Sequence, residues 1–173
     1  IICADHYSKY ISKRDRTSRP IFSDAAAAVI LEKSETNKIG PFIFKTSGDG
    51  GDFLTVKNGN KELYMDGPAV LKFSLNLVPE ATHELLEKAN CKKEDIDTFI
   101  FHQASAVVLN KLKKKLDILD LQWFNQIENI GNTVSATIPI AISILQNENK
   151  FSYSKKYLLM GFGVGLSVAG CII

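Results

Sequence analysis

A four-residue apolar run that ends at a histidine constrains this chain more than any other segment. Thr98–Phe101 is short and rich in aromatic and β-branched residues, which favours a buried strand. His102 follows directly, and apolar residues then recur at every fourth position from Ala104, which predicts a helix to about Leu116. A strand that ends at a titratable side chain and passes into a helix is typical of a crevice in an α/β protein.

Two further loops have the same polar character. Gly131, Asn132 and Thr133 precede a segment whose apolar residues cover most of a helical circumference, which predicts a central, buried helix capped by Asn132 or Thr133. A glycine-rich loop at 161–165 separates two apolar segments at 157–160 and 166–172, which predicts a hairpin. The three loops are candidates for the walls of a single cavity.

Composition and charge narrow the class of protein. The chain has 173 residues, of which 45% are hydrophobic and 23% are charged, so it can bury one core or two small ones. Its net charge of +2 is too weak to argue for nucleic acid as a partner. No apolar run reaches the ~18 residues of a membrane-spanning helix. We expect neither nucleic acid nor a membrane among its partners.

The cysteines and the first residues bear on compartment and completeness. Cys3, Cys91 and Cys171 are far apart and fit neither a disulfide framework nor a metal site, which predicts a reducing, cytoplasmic compartment and no bound metal. The chain begins in an apolar segment without an initiator methionine or the charged start of a signal peptide. We therefore expect a part of a longer protein.

The order of the segments predicts an α/β protein with a largely buried sheet and helices on both faces. A helix is predicted from Gly67 to Asn90, with a break or kink at Pro79. Polar loops are expected at 34–38 and 57–61. The alanine run inside 25–31 favours a helix by composition alone, but its β-branched end favours a strand. Strands are expected over 1–4, 25–31, 39–47, 63–65, 98–101 and 123–127.

Each candidate residue has a structural and a chemical interpretation. His102 fits a core histidine with one backbone bond, or a neutral imidazole that acts as hydrogen-bond donor or general base. Asn132 fits a helix cap, or an amide donor to a developing oxyanion. The loop at 161–165 fits a hairpin turn or a backbone oxyanion hole. The lysines at 111 and 113–115 fit a solvated helix end, or a dock for a phosphate or an acidic partner.

In combination, these motifs resemble one family. His102-Gln103-Ala104, the segment Glu-Asn-Ile-Gly-Asn-Thr at 128–133 and Gly-Phe-Gly-Val-Gly at 161–165 resemble the C-terminal half of 3-oxoacyl-acyl-carrier-protein synthase III. Segment 22–31 and Met65-Asp66-Gly67 resemble earlier parts of that family, so the resemblance covers nearly the whole chain. It implies a thiolase-like α/β fold, in which a layered mixed sheet and a buried central helix form half of a five-layer αβαβα architecture.

The resemblance also implies a reaction and a set of residues. A cysteine thiolate would take an acyl group from acyl-CoA, malonyl-acyl-carrier-protein would lose carbon dioxide, and the resulting carbanion would attack the acyl thioester. His102 and Asn132 would donate hydrogen bonds to the malonyl thioester carbonyl and stabilise the enolate. The other implied positions are Phe162 beside the nucleophile, Gly163 and Val164 in an oxyanion hole, Met65 and Gly67 in the pocket wall, and Gln103, Lys114 and Lys115 at the carrier or CoA dock.

The same resemblance implies partners and an organisation. The partners would be acyl carrier protein and a CoA thioester, with no cofactor, in a homodimer. Residues 1–35 would be the tail end of an N-terminal thiolase-like half, and residues 36–173 the C-terminal half that carries the histidine–asparagine pair. Cys3, Cys91 and Cys171 do not match the place of the nucleophile, which is expected upstream of Ile1.

The chain departs from the family's usual pattern, which puts glycine, asparagine or arginine at six positions that differ here. These departures favour a specialised acyl or carrier preference beside the role of starting fatty-acid synthesis. Two alternatives stay open. The first is another thiolase-fold enzyme, of the polyketide synthase or hydroxymethylglutaryl-CoA synthase type. The second is a non-catalytic acyl-binding or scaffolding subunit. The six positions at which this chain departs from the family's usual pattern are Ser23, Ala25, Ala27, Ser105, Val107 and Val164.

Overall fold

The computed structural model describes residues 1–36, 38–56 and 61–173. Residue 37 of the predicted loop at 34–38 and residues 57–60 of the one at 57–61 lie outside the described residues. The strands are β1 Ile2–Asp5, β2 Ala25–Ala28, β3 Phe42–Thr46, β4 Leu54–Val56, β5 Leu63–Met65, β6 Thr98–Phe101, β7 Tyr157–Gly163 and β8 Ser167–Ile172. The helices are α1 Gly67–Lys88, α2 Ala106–Leu116, α3 Ile127–Ile130 and α4 Thr137–Asn147.

Four strands form a mixed sheet in the order β3-β8-β7-β6. β6 and β7 run parallel, whereas β8 is antiparallel to both of its neighbours. β7 and β8 form the predicted hairpin, with Gly163 opposite Ser167. The helix predicted after His102 is α2, and it ends at the predicted residue.

Helices cover both faces of this sheet, which confirms the predicted α/β class. Because successive strand residues point to opposite faces, Phe99 and Phe101 of β6 pack against α1 and α2. Ile100, between them, packs against α4 on the other face, next to Ala141. β1 and β2 form a separate antiparallel pair that contacts α4 from its far side. The layers are therefore the β1–β2 pair, α4, the four-stranded sheet, and α1 with α2.

α4 occupies the predicted central layer, but its burial is incomplete among the described residues. Thr137, Ala141 and Leu145 are buried and lie on one side of the helix. Its isoleucines at 138, 140, 142 and 144 are only half-buried. Elsewhere, β2 is shorter than the predicted strand at 25–31: its register with β1 ends at Ala28, and Val29 exchanges two backbone hydrogen bonds with Ile1. Ile30, beyond that pairing, is 86% exposed.

Of the predicted break or kink at Pro79, the break is wrong, because α1 continues through it, and the kink stays a prediction. A proline in a helix leaves the carbonyl four residues earlier without its usual N–H donor. Here that carbonyl belongs to Leu75, and it accepts a hydrogen bond from Lys115 Nζ at 2.6 Å. The ammonium group from α2 therefore replaces the missing backbone donor.

The strand predicted over 123–127 is also wrong. Trp123 makes only an isolated parallel bridge to Phe99, and α3 begins four residues later. Side-chain oxygens accept from the backbone N–H groups that a ladder would need: Gln103 Oε1 from Gln126 at 3.0 Å and Asn125 Oδ1 from Ile127 at 3.2 Å. Such local bonds compete with strand pairing. None of the helices in the described ranges has the length and hydropathy needed to cross a bilayer.

Candidate active site

The three predicted loops meet at one cleft of about 350 Å³. It lies between the end of β6, the turn that precedes α4 and the β7–β8 hairpin. Five of the predicted site residues line it: His102, Asn132, Phe162, Gly163 and Val164. Parallel strands β6 and β7 end at the same edge of the sheet, which is why His102 comes to lie beside the glycine loop.

His102 is held by its backbone and by one ring nitrogen. Its N–H donates to the Met160 carbonyl at 2.8 Å and so extends the parallel pairing by one residue. Its Nδ1 lies 2.8 Å from the Thr137 hydroxyl, and its ring stands edge-on to Phe162 with centroids 5.3 Å apart. Burial lowers the pKa of the imidazole to about 4, so His102 is neutral at pH 7.

The side-chain amide of Asn132 is oriented by two backbone groups. Its Oδ1 accepts from the Val134 N–H at 2.9 Å, and its Nδ2 donates to the Ala104 carbonyl at 3.1 Å. The first bond fixes which end of the amide is nitrogen, because a backbone N–H can pair only with the oxygen. Nδ2 carries a second N–H that has no partner among the described residues. Asn132 therefore satisfies a backbone donor and still offers one of its own.

The backbone of Asn132 is clamped by a distant segment. Its N–H donates to the Ile21 carbonyl at 2.9 Å, and its carbonyl accepts from the Ser23 N–H at 2.8 Å. Gly131 precedes it with φ of +67°, and a Cβ there would collide with Ser23 Oγ. The predicted cap of the next helix by Asn132 or Thr133 is wrong, because α4 begins at Thr137 with Ala136 as its N-cap. The buried Thr133 hydroxyl has no hydrogen-bond partner in the described part of the chain.

The glycine loop leaves backbone open to the cleft. A Cβ added to Gly163 would meet no atom within 4 Å, so packing does not require a glycine there. Val164, at the tip of the hairpin, is 58% exposed. The structural interpretation as a hairpin turn is confirmed by the β7–β8 pairing. The oxyanion-hole role of Gly163 and Val164 stays a prediction.

The other five predicted site residues, Lys114 among them, do not line the cleft. Met65 ends β5 and packs against the core between the sheet and α1, and Gly67 begins α1. Gln103 is 0% exposed, and its amide donates to the Phe101 carbonyl at 2.8 Å. This placement does not fit the docking role predicted for Gln103. The ammonium group of Lys115 donates a hydrogen bond to the Leu75 carbonyl.

Lys114 is exposed on α2, and within the described ranges its ammonium group forms no hydrogen bond or ion pair. Its neighbour Lys113 pairs with Asp120. Of the predicted dock, Lys114 is therefore the residue whose ammonium group remains available to a partner.

Phe22, Val134, Ser135 and Thr137 also line the cleft, and the sequence analysis did not single them out. Val134 adopts φ of +54°, which is unfavourable for a β-branched residue. The signal for Thr137 was its place as a hydroxyl residue at the start of an otherwise apolar helix. No comparable local signal existed for Phe22, because its bridge to Asn132 joins distant parts of the chain.

The cleft thus offers a neutral imidazole and a neutral carboxamide on one wall. Among its described lining residues there is no carboxylate, ammonium or guanidinium group. Neutral N–H donors in a partly buried site suit a ligand oxygen that gains negative charge during a reaction.

Comparison with known proteins agrees with this geometry. The family model for the C-terminal part of 3-oxoacyl-[acyl-carrier-protein] synthase III matches residues 86–173, and the model for another part of the same enzyme matches residues 1–50. The beta-ketoacyl-[acyl-carrier-protein] synthase III of Listeria monocytogenes is 32% identical over the whole chain. The chain spans 55% of that relative's length.

Solved structures show the same fold. A crystal structure of a 3-oxoacyl-(acyl-carrier-protein) synthase III aligns with a TM-score of 0.92 and 36% identity, covering 99% of this chain and 58% of its own. The corresponding enzyme of Aquifex aeolicus aligns with a TM-score of 0.94 and 30% identity, covering 99% and 56%. The first family model alone accounts for half of the residues. This chain belongs to the 3-oxoacyl-[acyl-carrier-protein] synthase III family.

Proposed function

We propose that the full-length protein joins an acyl group from acyl-CoA to malonyl-acyl-carrier-protein with loss of carbon dioxide, and that this chain supplies the enolate-stabilising part of the site. One observation carries the proposal: His102 and Asn132 line the same cleft, and the Val134 N–H orients the Asn132 amide with its nitrogen as the donor. The names of the matched relatives support the same activity.

The neutrality of His102 fits this step. When carbon dioxide leaves, negative charge moves onto the thioester oxygen, and fixed donors in a shielded site stabilise that oxygen most in the transition state. An imidazolium would also pair with the malonyl carboxylate before the reaction and so stabilise the ground state. Burial lowers the pKa of His102 to about 4, which keeps the donor neutral at pH 7. The ring of Phe162, nearly perpendicular to the imidazole, shields one side of it.

The carrier and the assembly belong to the same proposal. We place the acidic or phosphate-bearing carrier at Lys114, whose charge is not paired within the described residues. We further propose a homodimer in the cytoplasm that needs no cofactor beyond its substrates. The boundary between the two thiolase-like halves would fall near residue 35, because β1 and β2 lie across α4 from the four-stranded sheet.

The experiment measures decarboxylation and condensation by the full-length protein. With acyl-CoA and malonyl-acyl-carrier-protein, mass spectrometry should find 3-oxoacyl-acyl-carrier-protein. His102→Ala and Asn132→Ala should each lower malonyl decarboxylation by at least ~100-fold, the scale of one lost oxyanion donor. His83→Ala and Asn147→Ala, at exposed positions on α1 and α4, are the matched controls. Near-normal decarboxylation in either site variant would contradict the assigned roles, and acyl binding without any condensation would favour a non-catalytic subunit.

A further inference from the structure

Thr137 is a buried hydroxyl residue that touches the catalytic candidate His102. It is the first residue of α4 and is 1% exposed. Its Oγ1 lies 2.8 Å from His102 Nδ1 and 3.1 Å from the Val134 carbonyl. A hydroxyl has a single proton, so it can donate to only one of these two acceptors at a time.

The choice between the two acceptors decides what His102 can do. A neutral imidazole carries one N–H, and the nitrogen without it is an acceptor. If the hydroxyl donates to Val134, the ring proton must sit on Nδ1, and Nε2 presents a lone pair that repels a developing oxyanion. If the hydroxyl donates to Nδ1, the ring proton sits on Nε2, and His102 is a donor there.

The backbone leaves the hydroxyl free for the second arrangement. The Val134 carbonyl already accepts from the backbone N–H of Thr137, so it keeps a partner when the hydroxyl turns away. The described residues that line the cleft include no charged side chain, so no ion there favours either tautomer. His102 Nδ1 has Thr137 as its hydrogen-bond partner within the described part of the chain.

We propose that Thr137 is a positioning residue that donates to His102 Nδ1 and thereby holds the ring proton on Nε2, the nitrogen left for the ligand oxygen. The inference rests on the proposed function, since it explains how His102 serves as a donor. The same short turn orients both donors, because the Val134 N–H fixes the Asn132 amide and the Val134 carbonyl receives the Thr137 N–H. Thr137 acts through His102 and not on the ligand.

The test combines nitrogen NMR with kinetics on the full-length protein. In histidine labelled with ¹⁵N, assigned with a His102→Gln variant, the wild-type ring should carry its proton on Nε2. Thr137→Val keeps the shape of the side chain but removes the hydroxyl, and the ring signals should shift toward the Nδ1-protonated form. Decarboxylation should fall about 10-fold or more in kcat, with KM little changed, because part of one transition-state donor is lost. Thr137→Ser should restore both the signals and the rate to within about 3-fold of wild type.

The outcomes separate this inference from the proposed function. A wild-type ring protonated on Nδ1 would overturn the role of Thr137, even if the protein condenses its substrates normally. Full decarboxylation by Thr137→Val would do the same. If Thr137→Val does not fold, the wild-type spectrum and the Thr137→Ser rate still decide. A wild-type protein without condensing activity would remove the proposed function, while the NMR measurement would still test the hydrogen bond.

Discussion

The two faces of the four-stranded sheet differ in what they bury. The face under α1 and α2 is closed by apolar side chains such as Leu85, Leu109 and Leu112, each with no exposed surface. The face under α4 contains the cleft, where Asn132 and Thr137 are buried polar residues. Successive residues of β7 point to opposite faces of the sheet. Met160 packs under α1 and α2, whereas the glycines at 161 and 163 line the cleft.

The closed face of the sheet therefore contributes mainly to folding stability, and the cleft face carries the polar groups of the site. Apolar burial on the closed face contributes folding free energy in proportion to area. Buried polar groups add little net stability, and one that is left without a partner costs free energy. On the cleft face the partners are mostly backbone groups, as for Asn132, so the side chains are fixed without a dense apolar surround. Three experiments test how complete the separation is.

The largest effect is expected on the closed face. Leu112→Ala should lower the free energy of unfolding by ~2–5 kcal/mol, since it leaves a cavity in a fully buried position. Urea denaturation of the full-length protein measures this change. Lys111→Ala, an exposed neighbour on α2, should stay within ~0.5 kcal/mol of wild type. The separation fails if Leu112→Ala also lowers the decarboxylation rate of the protein that remains folded.

On the cleft face, His102 should make folding stability depend on pH. Its pKa is lowered to about 4 in the folded protein, against an ordinary value of 6.5. Below pH 6.5 the unfolded chain therefore binds a proton that the folded chain does not, and stability falls as the pH drops toward 4. The loss should approach about 3 kcal/mol, at 1.36 kcal/mol for each pKa unit.

Urea denaturation at pH 7 and pH 4.5 measures this loss. His102→Gln should remove most of the difference between the two pH values, whereas His83→Gln should leave it unchanged. An identical pH dependence in wild type and His102→Gln would show that the imidazole is not held neutral by burial.

The smallest effect is expected at Gly131, the residue that precedes Asn132. Gly131→Ala should cost ~1–3 kcal/mol of stability, because φ of +67° is strained for alanine and its Cβ would collide with Ser23 Oγ. It should also lower decarboxylation, since the clamp on Asn132 must shift. Combining it with Ser23→Gly should recover part of both losses. Gly48→Ala is the control, because a Cβ at Gly48 meets no atom within 4 Å. An unchanged rate in Gly131→Ala would show that the clamp does not position the amide.

Patterns within a few residues of each other were predictable from the sequence. The apolar repeat after His102 gave the end of α2, and the two segments around the glycine loop gave the hairpin. The segment pattern pointed to His102, Asn132 and the loop at 161–165, which hold the five candidates that line the cleft, and the resemblance assigned their roles. These features depend on local periodicity or on motifs, which a single sequence displays.

The failed predictions share a different cause, which is a partner distant in the chain. The helix through Pro79 survives because Lys115, 40 positions from Leu75, supplies the missing donor. The strand expected at 123–127 is replaced because Gln103, 23 positions from Gln126, accepts its N–H. The same bond holds Gln103, which the resemblance placed at the carrier or CoA dock, in a position with no exposed surface. Side chains that satisfy remote backbone groups have no periodicity to reveal them.

The clamp around Asn132 has a consequence for synthesis. The segment at 21–23 and Asp5 of β1 hold the wall of the cleft, and the bond between Asp5 and the Ser135 N–H joins positions 130 residues apart. At a ribosomal rate of about 5–20 residues per second, Asp5 waits about 6–26 s before its partner is made. During that interval β1 and β2 have no α4 to lie on. The nascent chain can therefore form the Asp5–Ser135 bond only after β1 to β6 and α1 to α3 have been synthesised, and α4, β7 and β8 follow it.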